Sequence, residues 1–260
     1  MNDSNKQKLL VIESLAKNFG GIHAIKNFNL EVYYGDLIGI IGPNGAGKTA
    51  LLNTITGFYR ASSGKVIFNE TDITYHPIHK IALLGMGRTF QNIRLFKRMS
   101  VIENVMVARK NYFENPIQFL FNRAQHLEQL DQSMDCLSML KLADKANQSA
   151  ASLSYGDARR LEIARALAGM PKMLLLDEPA AGMNETETKQ LIEDIQIIRS
   201  KVDSVVLIEH DMNLIRSLCD RVVAMDFGQK ICEGSAQEVL SHPEVMSAYL
   251  GVDEDEGNFS

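Results

Sequence analysis

The chain has 260 residues, 45% of them hydrophobic, with 27 Lys and Arg set against 32 Asp and Glu. That is enough apolar material for one large domain or two close-packed lobes. A net charge of −5 and a pI near 5.7 argue against a nucleic-acid binder that covers phosphates, and no run reaches the ~18 apolar residues of a membrane span.

The polar start MNDSNKQKLL lacks an apolar signal core. A soluble, cytoplasmic chain is expected, with any membrane contact made through a partner. Cys136, Cys219 and Cys232 are far apart and show no C-x-x-C spacing, so buried reduced thiols are expected.

Alternation first appears in FNLEVYYGD, where Phe28, Leu30 and Val32 alternate with Asn29, Glu31 and Tyr33. This predicts a half-buried strand closed by a turn at Gly35 and Asp36. Leu37 to Ile41, LIGII, is apolar throughout, as a central strand covered on both faces would be. It runs into GPNGAGKT; KTALLNTIT then reads as helix and, after an SSG turn, KVIFN as a short strand.

The texture changes near Arg88. In SVIENVMVARK, Ser100 and Glu103 stand at capping-box spacing, and Val101, Ile102, Val105 and Met106 share one helical face. From Ile117 to about Leu142 the pattern stays helical, which predicts an all-α insert of about sixty to seventy residues. LSYGDARRLEIARAL opens a further helix, with Ser154 and Asp157 placed as caps and Gly156 leaving amides uncovered. Strand patterns return in MLLLD, SVVLIEH, RVVAMD and QKICEG, with helical ETETKQLIEDIQIIRSK between the first two. The acidic end, VDEDEGNFS, is expected to be solvated and disordered. The whole reads as an α/β core with a mostly parallel sheet, interrupted by a helical lobe.

Two stretches carry chemistry. Gly42, Pro43, Asn44, Gly45, Ala46, Gly47, Lys48 and Thr49 match G-x-x-x-x-G-K-[ST] between a strand and a helix. The glycines let backbone amides turn around phosphate oxygens, Lys48 brings charge to the β- and γ-phosphates, and the Thr49 hydroxyl suits Mg²⁺. MLLLDEP places Asp177 at the C-terminal end of a strand, where a parallel sheet presents ligands. Asp177 can hold the Mg²⁺ shell and Glu178 can polarise an attacking water.

Together with LSYGD, these stretches resemble the ATP-binding subunit of an ABC transporter over nearly the whole chain, about Leu9 to Gly251. The consensus signature there is L-S-G-G-Q. The resemblance implies that Ser154 and Gly156 cap the γ-phosphate of ATP held by a second ATP-binding subunit. It implies that Gln91, in RTFQN, senses Mg²⁺ and the attacking water, and that His210, in LIEHD, touches the γ-phosphate. Phe19 is placed like the aromatic that stacks on adenine, and Ala180 to Asn184 like the dimer-contact loop.

The implied fold is a P-loop NTPase core, residues 1–90 and 165–250, with a mostly parallel sheet and an antiparallel β part. A helical lobe, 91–164, and an acidic tail, 251–260, complete the expected organisation. TGFYR, GMGRTFQNIRLF, SVIENVMVA and SYG are similar to the larger-type ATPase subunit of bacterial branched-chain amino acid importers. That likeness implies an ATP- and Mg²⁺-dependent ATPase, peripheral on the inner face of the cell membrane. Its partners would be a second ATPase subunit, membrane permease subunits and a substrate-binding protein outside the membrane, with no nucleic acid. Another cargo (urea, other amino acids, lipopolysaccharide) or a soluble ABC-type clamp are the alternatives. A clamp usually carries two nucleotide domains or a long coiled-coil insert, neither of which is present. A module that holds ATP without turnover fits poorly with Glu178 and His210. Three positions depart from the pattern: Ala50 lacks a hydroxyl for the α-phosphate, Asp157 replaces Gln, and Asn184 replaces Asp.

Overall fold

The computed structural model describes residues 6–109 and 123–255. The part of the expected helical stretch before Arg123 lies outside them, as do residues 256–260 of the tail. The chain packs as two compact units, one made of Met1–Leu84 with Asp203–Ser260 and the other of Gly85–Val202.

In the first unit, β1 (Lys8–Phe19) pairs antiparallel with β2 (Ile22–Tyr33) on one side. On the other it pairs with β4 (Ser63–Phe68), and β5 (Thr71–Asp72) extends that edge. The alternation that marks β2 buries Phe28, Leu30 and Val32. Strand β1 escapes such a reading because its register shifts at several points and Ser14 sits at φ 47°. Irregularities of this kind break the inside–outside period.

A second set of strands in this unit runs in the order β10, β9, β3, β8: β3 is Leu37–Ile41, β8 Ser204–Ile208, β9 Arg221–Asp226 and β10 Gln229–Gly234. Strand β3 is parallel to both neighbours, and β10 returns antiparallel to β9. Every residue of β3 and β8 is buried, which is what continuous apolar runs are suited to. A Cβ at Gly39 would lie 2.8 Å from Ile215 and 2.9 Å from the Cys219 sulfur, so the segment carrying α7 (Met212–Leu218) packs directly on β3.

The unit also contains α1 (Lys48–Ile55), α2 (Ile78–Leu83), α8 (Ala236–Leu240) and α9 (Pro243–Asp255). Helix α9 corrects the expectation for the acidic tail, since its backbone stays helical through Asp255. Pro243 starts the helix with a preset φ, and Val245 anchors it at 2% exposure. The cysteines are free thiols; Cys136 is buried, whereas Cys219 and Cys232 are half-buried instead of fully buried.

In the second unit, β6 (Met86–Arg88) pairs parallel with the wholly buried β7 (Met173–Asp177). Helices α3 (Val101–Met106), α4 (Arg123–Met139) and α5 (Tyr155–Ala168) pack against one another, with Val101, Val105, Leu137 and Leu161 buried. The α3 capping box forms as its spacing predicts: Glu103 N–H donates to Ser100 Oγ at 3.3 Å and Ser100 N–H to Glu103 at 2.7 Å. Helix α6 (Glu185–Arg199) follows β7.

Candidate functional site

Between β3 and α1 the chain folds as a loop in which Gly42, Gly45 and Gly47 all have positive φ. Two of these glycines are required by what touches them. A Cβ at Gly42 would lie 2.1 Å from the Met225 carbonyl oxygen, and one at Gly47 2.4 Å from that of Ala24. Gly228 N–H donates to Ala46 O at 2.9 Å, and Gly42 N–H donates to the Tyr249 hydroxyl at 2.8 Å. The loop is therefore held by β2, by the β9–β10 turn and by α9.

Helix α1 starts on Gly47 with no side-chain cap. The N–H groups of its first turn lie at the positive end of the helix dipole, a setting that favours an anion. Lys48, only 5% exposed, donates from Nζ to Gly42 O at 2.6 Å and to Pro43 O at 2.9 Å. Asn44, Gly45 and Thr49 are exposed, Pro43 and Ala46 buried. An uncapped helix tip, a cation and an accessible hydroxyl fit a phosphate chain.

Burial raises the Tyr249 pKa to about 12, opposed in part by the hydrogen bond from Gly42. Unfolded, the phenol ionises near its ordinary value of 10. The stability that this group contributes is therefore present below pH 10 and lost as pH rises from 10 toward 12. Tyr249→Phe is expected to flatten the fall in melting temperature over that window. Parallel slopes for mutant and wild type would show that the hydroxyl is not held.

The same unit carries His210 and Phe19. His210 follows β8 and is exposed, its N–H donating to the Glu209 carboxylate at 3.1 Å; Asp211 then caps α7. Phe19 ends β1 at 40% exposure, with Tyr59 edge-on at 5.0 Å and Lys17 Nζ 4.6 Å from its ring centre.

In the second unit, Asp177 closes β7 and Glu178 turns out of the strand at φ 48°. Residues without a glycine's freedom occupy that region only where their surroundings hold them. Gln91, 87 residues away in sequence, donates from Nε2 to Glu178 Oε2 at 2.7 Å. Asp177 Oδ2 accepts from Arg88 at 2.9 Å, both side chains being almost fully buried. The structure thus brings Gln91, Asp177 and Glu178 together on β6, β7 and their following loops. The Asp177 carboxylate and the Thr49 hydroxyl are hard oxygen donors of the kind that magnesium takes.

Ser154 caps α5, its Oγ accepting from Asp157 N–H at 3.2 Å. Asp157 does not cap. Its carboxylate pairs with Lys145 at 2.5 Å and Arg160 at 3.5 Å, so the charge that replaces the usual Gln is locally compensated. A Cβ at Gly156 would lie 2.7 Å from Glu187 Oε1, so the α5 tip abuts the first turn of α6. There Asn184 and Glu187 form a capping box, with both bonds at 3.0 Å. The Tyr155 hydroxyl donates to Ala181 O at 2.8 Å, and its ring lies where a Cβ on Gly182 would touch it at 3.4 Å.

Sequence reasoning missed Arg88, Tyr249 and the contacts of Arg159 and Glu162, since no spacing points from one partner to the other. It also missed a groove of about 480 Å³ in this unit, lined by Phe90, Arg94, Leu95, Phe96 and Arg165 among others. Arg94 stacks 4.4 Å from the Phe90 ring centre and Arg165 5.6 Å from that of Phe96, which is 53% exposed.

Residues 25–181 match the family model described as ABC transporter, and residues 229–255 match that described as branched-chain amino acid ATP-binding cassette transporter. The chain is 41% identical over 252 residues to the high-affinity branched-chain amino acid transport ATP-binding protein LivG of Escherichia coli K12, covering 94% of this chain and 98% of LivG. It is 41% identical over 249 residues to BraF of Pseudomonas aeruginosa, which carries the same description, with the same coverage. Its structure is similar to that of a nucleotide-free ATP-binding cassette from an ABC transporter, with a TM-score of 0.83 and 33% identity, covering 94% of this chain and 99% of that one.

Proposed function

The chain belongs to the ABC transporter family as an ATP-binding, ATP-hydrolysing subunit, and from that premise we propose that it powers the uptake of branched-chain amino acids. The observation that carries the cargo is the match of residues 229–255 to the branched-chain cassette model, beside 41% identity to LivG and BraF.

In this reading the loop Gly42–Thr49 wraps the phosphates of ATP, Lys48 swings from its carbonyl partners onto the β- and γ-oxygens, and Phe19 supports adenine. Thr49 and Asp177 offer oxygen donors that would hold magnesium, whose charge would offset that of the phosphates. Glu178 accepts a proton from the attacking water, Gln91 orients that water and carboxylate, and His210 contacts the γ-phosphate. Ser154 and Gly156 cap the γ-phosphate of a nucleotide held by a second ATPase subunit, so closure of the pair requires ATP. Residues 91–164 act as the helical lobe, and the Phe90–Phe96 groove receives the permease subunits. The ATPase is then peripheral on the inner face of the membrane, and a substrate-binding protein delivers the amino acid outside. Among the described residues no helix is long and apolar enough to cross a membrane.

The test is uptake in vesicles rebuilt with the complex that co-purifies with this chain from membranes. Leucine, isoleucine and valine should enter only with ATP, and excess urea should not compete. Transport of urea in place of leucine would reassign the cargo while leaving the ATPase intact.

A further inference from the structure

Arg159 is fully buried, and among the described residues its charge partner is Glu162, one turn on along α5, at 2.8 Å. Its two terminal nitrogens also reach backbone carbonyls. Nη1 also donates to Phe90 O at 2.6 Å, and Nη2 donates to Gln91 O at 2.7 Å and to the Tyr155 hydroxyl at 3.4 Å. Glu162, 1% exposed, accepts at its other oxygen from Arg94 N–H at 3.2 Å. One buried pair on α5 therefore grips the loop that carries Gln91 at both ends.

The contacts continue past the loop. Tyr155 passes its hydroxyl hydrogen to Ala181 O, three residues beyond Glu178, while the Gln91 side chain meets Glu178 at 2.7 Å. The contacts close a ring from Arg159 through Gln91, Glu178 and Ala181 to Tyr155 and back. Within that ring sits Glu178 in a left-handed backbone conformation that needs outside support. Two adjacent carbonyls held by one planar guanidinium restrict the torsions of Gln91, and so the direction of its amide.

We infer that Arg159, with Glu162 and Tyr155, is a positioning device for hydrolysis: it sets Gln91 and Glu178 at their working separation and ties them to the signature tip of the same chain. The inference rests on the ATPase reading of Glu178 given above. Since a misplacement of about 1 Å at a reacting group can lower a rate by about 100-fold, loosening the bracket should act on turnover. Nucleotide binding at Gly42–Thr49 should be spared.

The experiment compares wild type, Arg159→Lys and Tyr155→Phe, purified with their partners, for melting temperature, ATP affinity and steady-state hydrolysis. Lysine keeps the charge and has three donors, but they radiate from one compact nitrogen and lack the planar fork that spans both carbonyls and Glu162. Arg159→Lys is expected to lower kcat by about ten- to 100-fold with KM for ATP within about threefold. Tyr155→Phe removes one hydroxyl from a half-exposed ring and should lower kcat by about threefold, with little change in melting temperature. A purely structural role predicts a lower melting temperature in Arg159→Lys with unchanged kcat per nucleotide-binding site. Unchanged kcat in folded Arg159→Lys, or in Tyr155→Phe should Arg159→Lys not fold, overturns the bracket. Absence of ATP turnover in the wild type overturns instead the reading on which it rests.

Discussion

Glu178→Gln is expected to bind ATP and Mg²⁺ at near wild-type affinity and to hydrolyse it at least about 100-fold more slowly, the lower range for general base catalysis. The physical reason lies in what the side chain faces. One carboxylate oxygen of Glu178 already accepts from Gln91 Nε2 at 2.7 Å. A glutamine there must offer its own carbonyl to Gln91 to keep that bond. Its NH₂ group then points where the second carboxylate oxygen stood, and an amide nitrogen cannot take a proton from water. The backbone at φ 48° suits glutamine no worse than glutamate, so the melting temperature should hold. With closure intact and turnover blocked, the mutant should accumulate as an ATP-bound dimer. Size-exclusion chromatography with and without ATP, beside phosphate release, reads both effects. A monomer with ordinary ATPase activity would remove Glu178 from the mechanism.

Lys48→Ala is expected to fail one step earlier. The lysine Nζ rests on the carbonyls of Gly42 and Pro43 at 2.6 and 2.9 Å, inside the loop that it must serve. Moving it onto phosphate exchanges two neutral acceptors for an anionic one, and a charge-assisted hydrogen bond contributes about 1.5–3 kcal/mol. Losing it should weaken ATP binding by about ten- to 150-fold, because the cation acts on the bound ground state as well as the transition state. Titration with a fluorescent ATP analogue measures this directly. Unchanged affinity would place the phosphates away from α1. The same substitution removes two ties within the loop, so a modest drop in melting temperature should accompany the loss.

The two variants draw on parts of the chain that differ in how openly sequence displays them. GPNGAGKT is legible because everything it needs is contiguous. Positive φ at three glycines and the uncapped start of α1 follow from residue type and a strand–loop–helix order. The same holds for MLLLDE, where five buried residues deliver a carboxylate to the end of a strand. It holds again for the capping box at Ser100, whose partner lies three residues away.

What the linear pattern could not show is how those pieces are held. The support of Gly42 by Tyr249 spans 207 residues, the pairing of Arg88 with Asp177 spans 89, and the grip of Arg159 on Phe90 spans 69. Nothing in the identity of an arginine says which carbonyl it will meet. That depends on which loops the packed helices and strands bring beside it. Strand β1 was hidden for a related reason, since its register shifts answer to two neighbouring strands at once. Sequence by itself determined the glycine loop before α1, the Asp177–Glu178 strand end and the alternation of helix and strand, because backbone geometry and hydrophobic period act over a few residues. Tertiary structure alone decided that Asp157 pairs with Lys145, that the α5 tip at Gly156 lies against the Glu187 carboxylate, and that Gln91 meets Glu178. Those are contacts between segments far apart in the chain, chosen by packing and by the need of buried polar groups for partners.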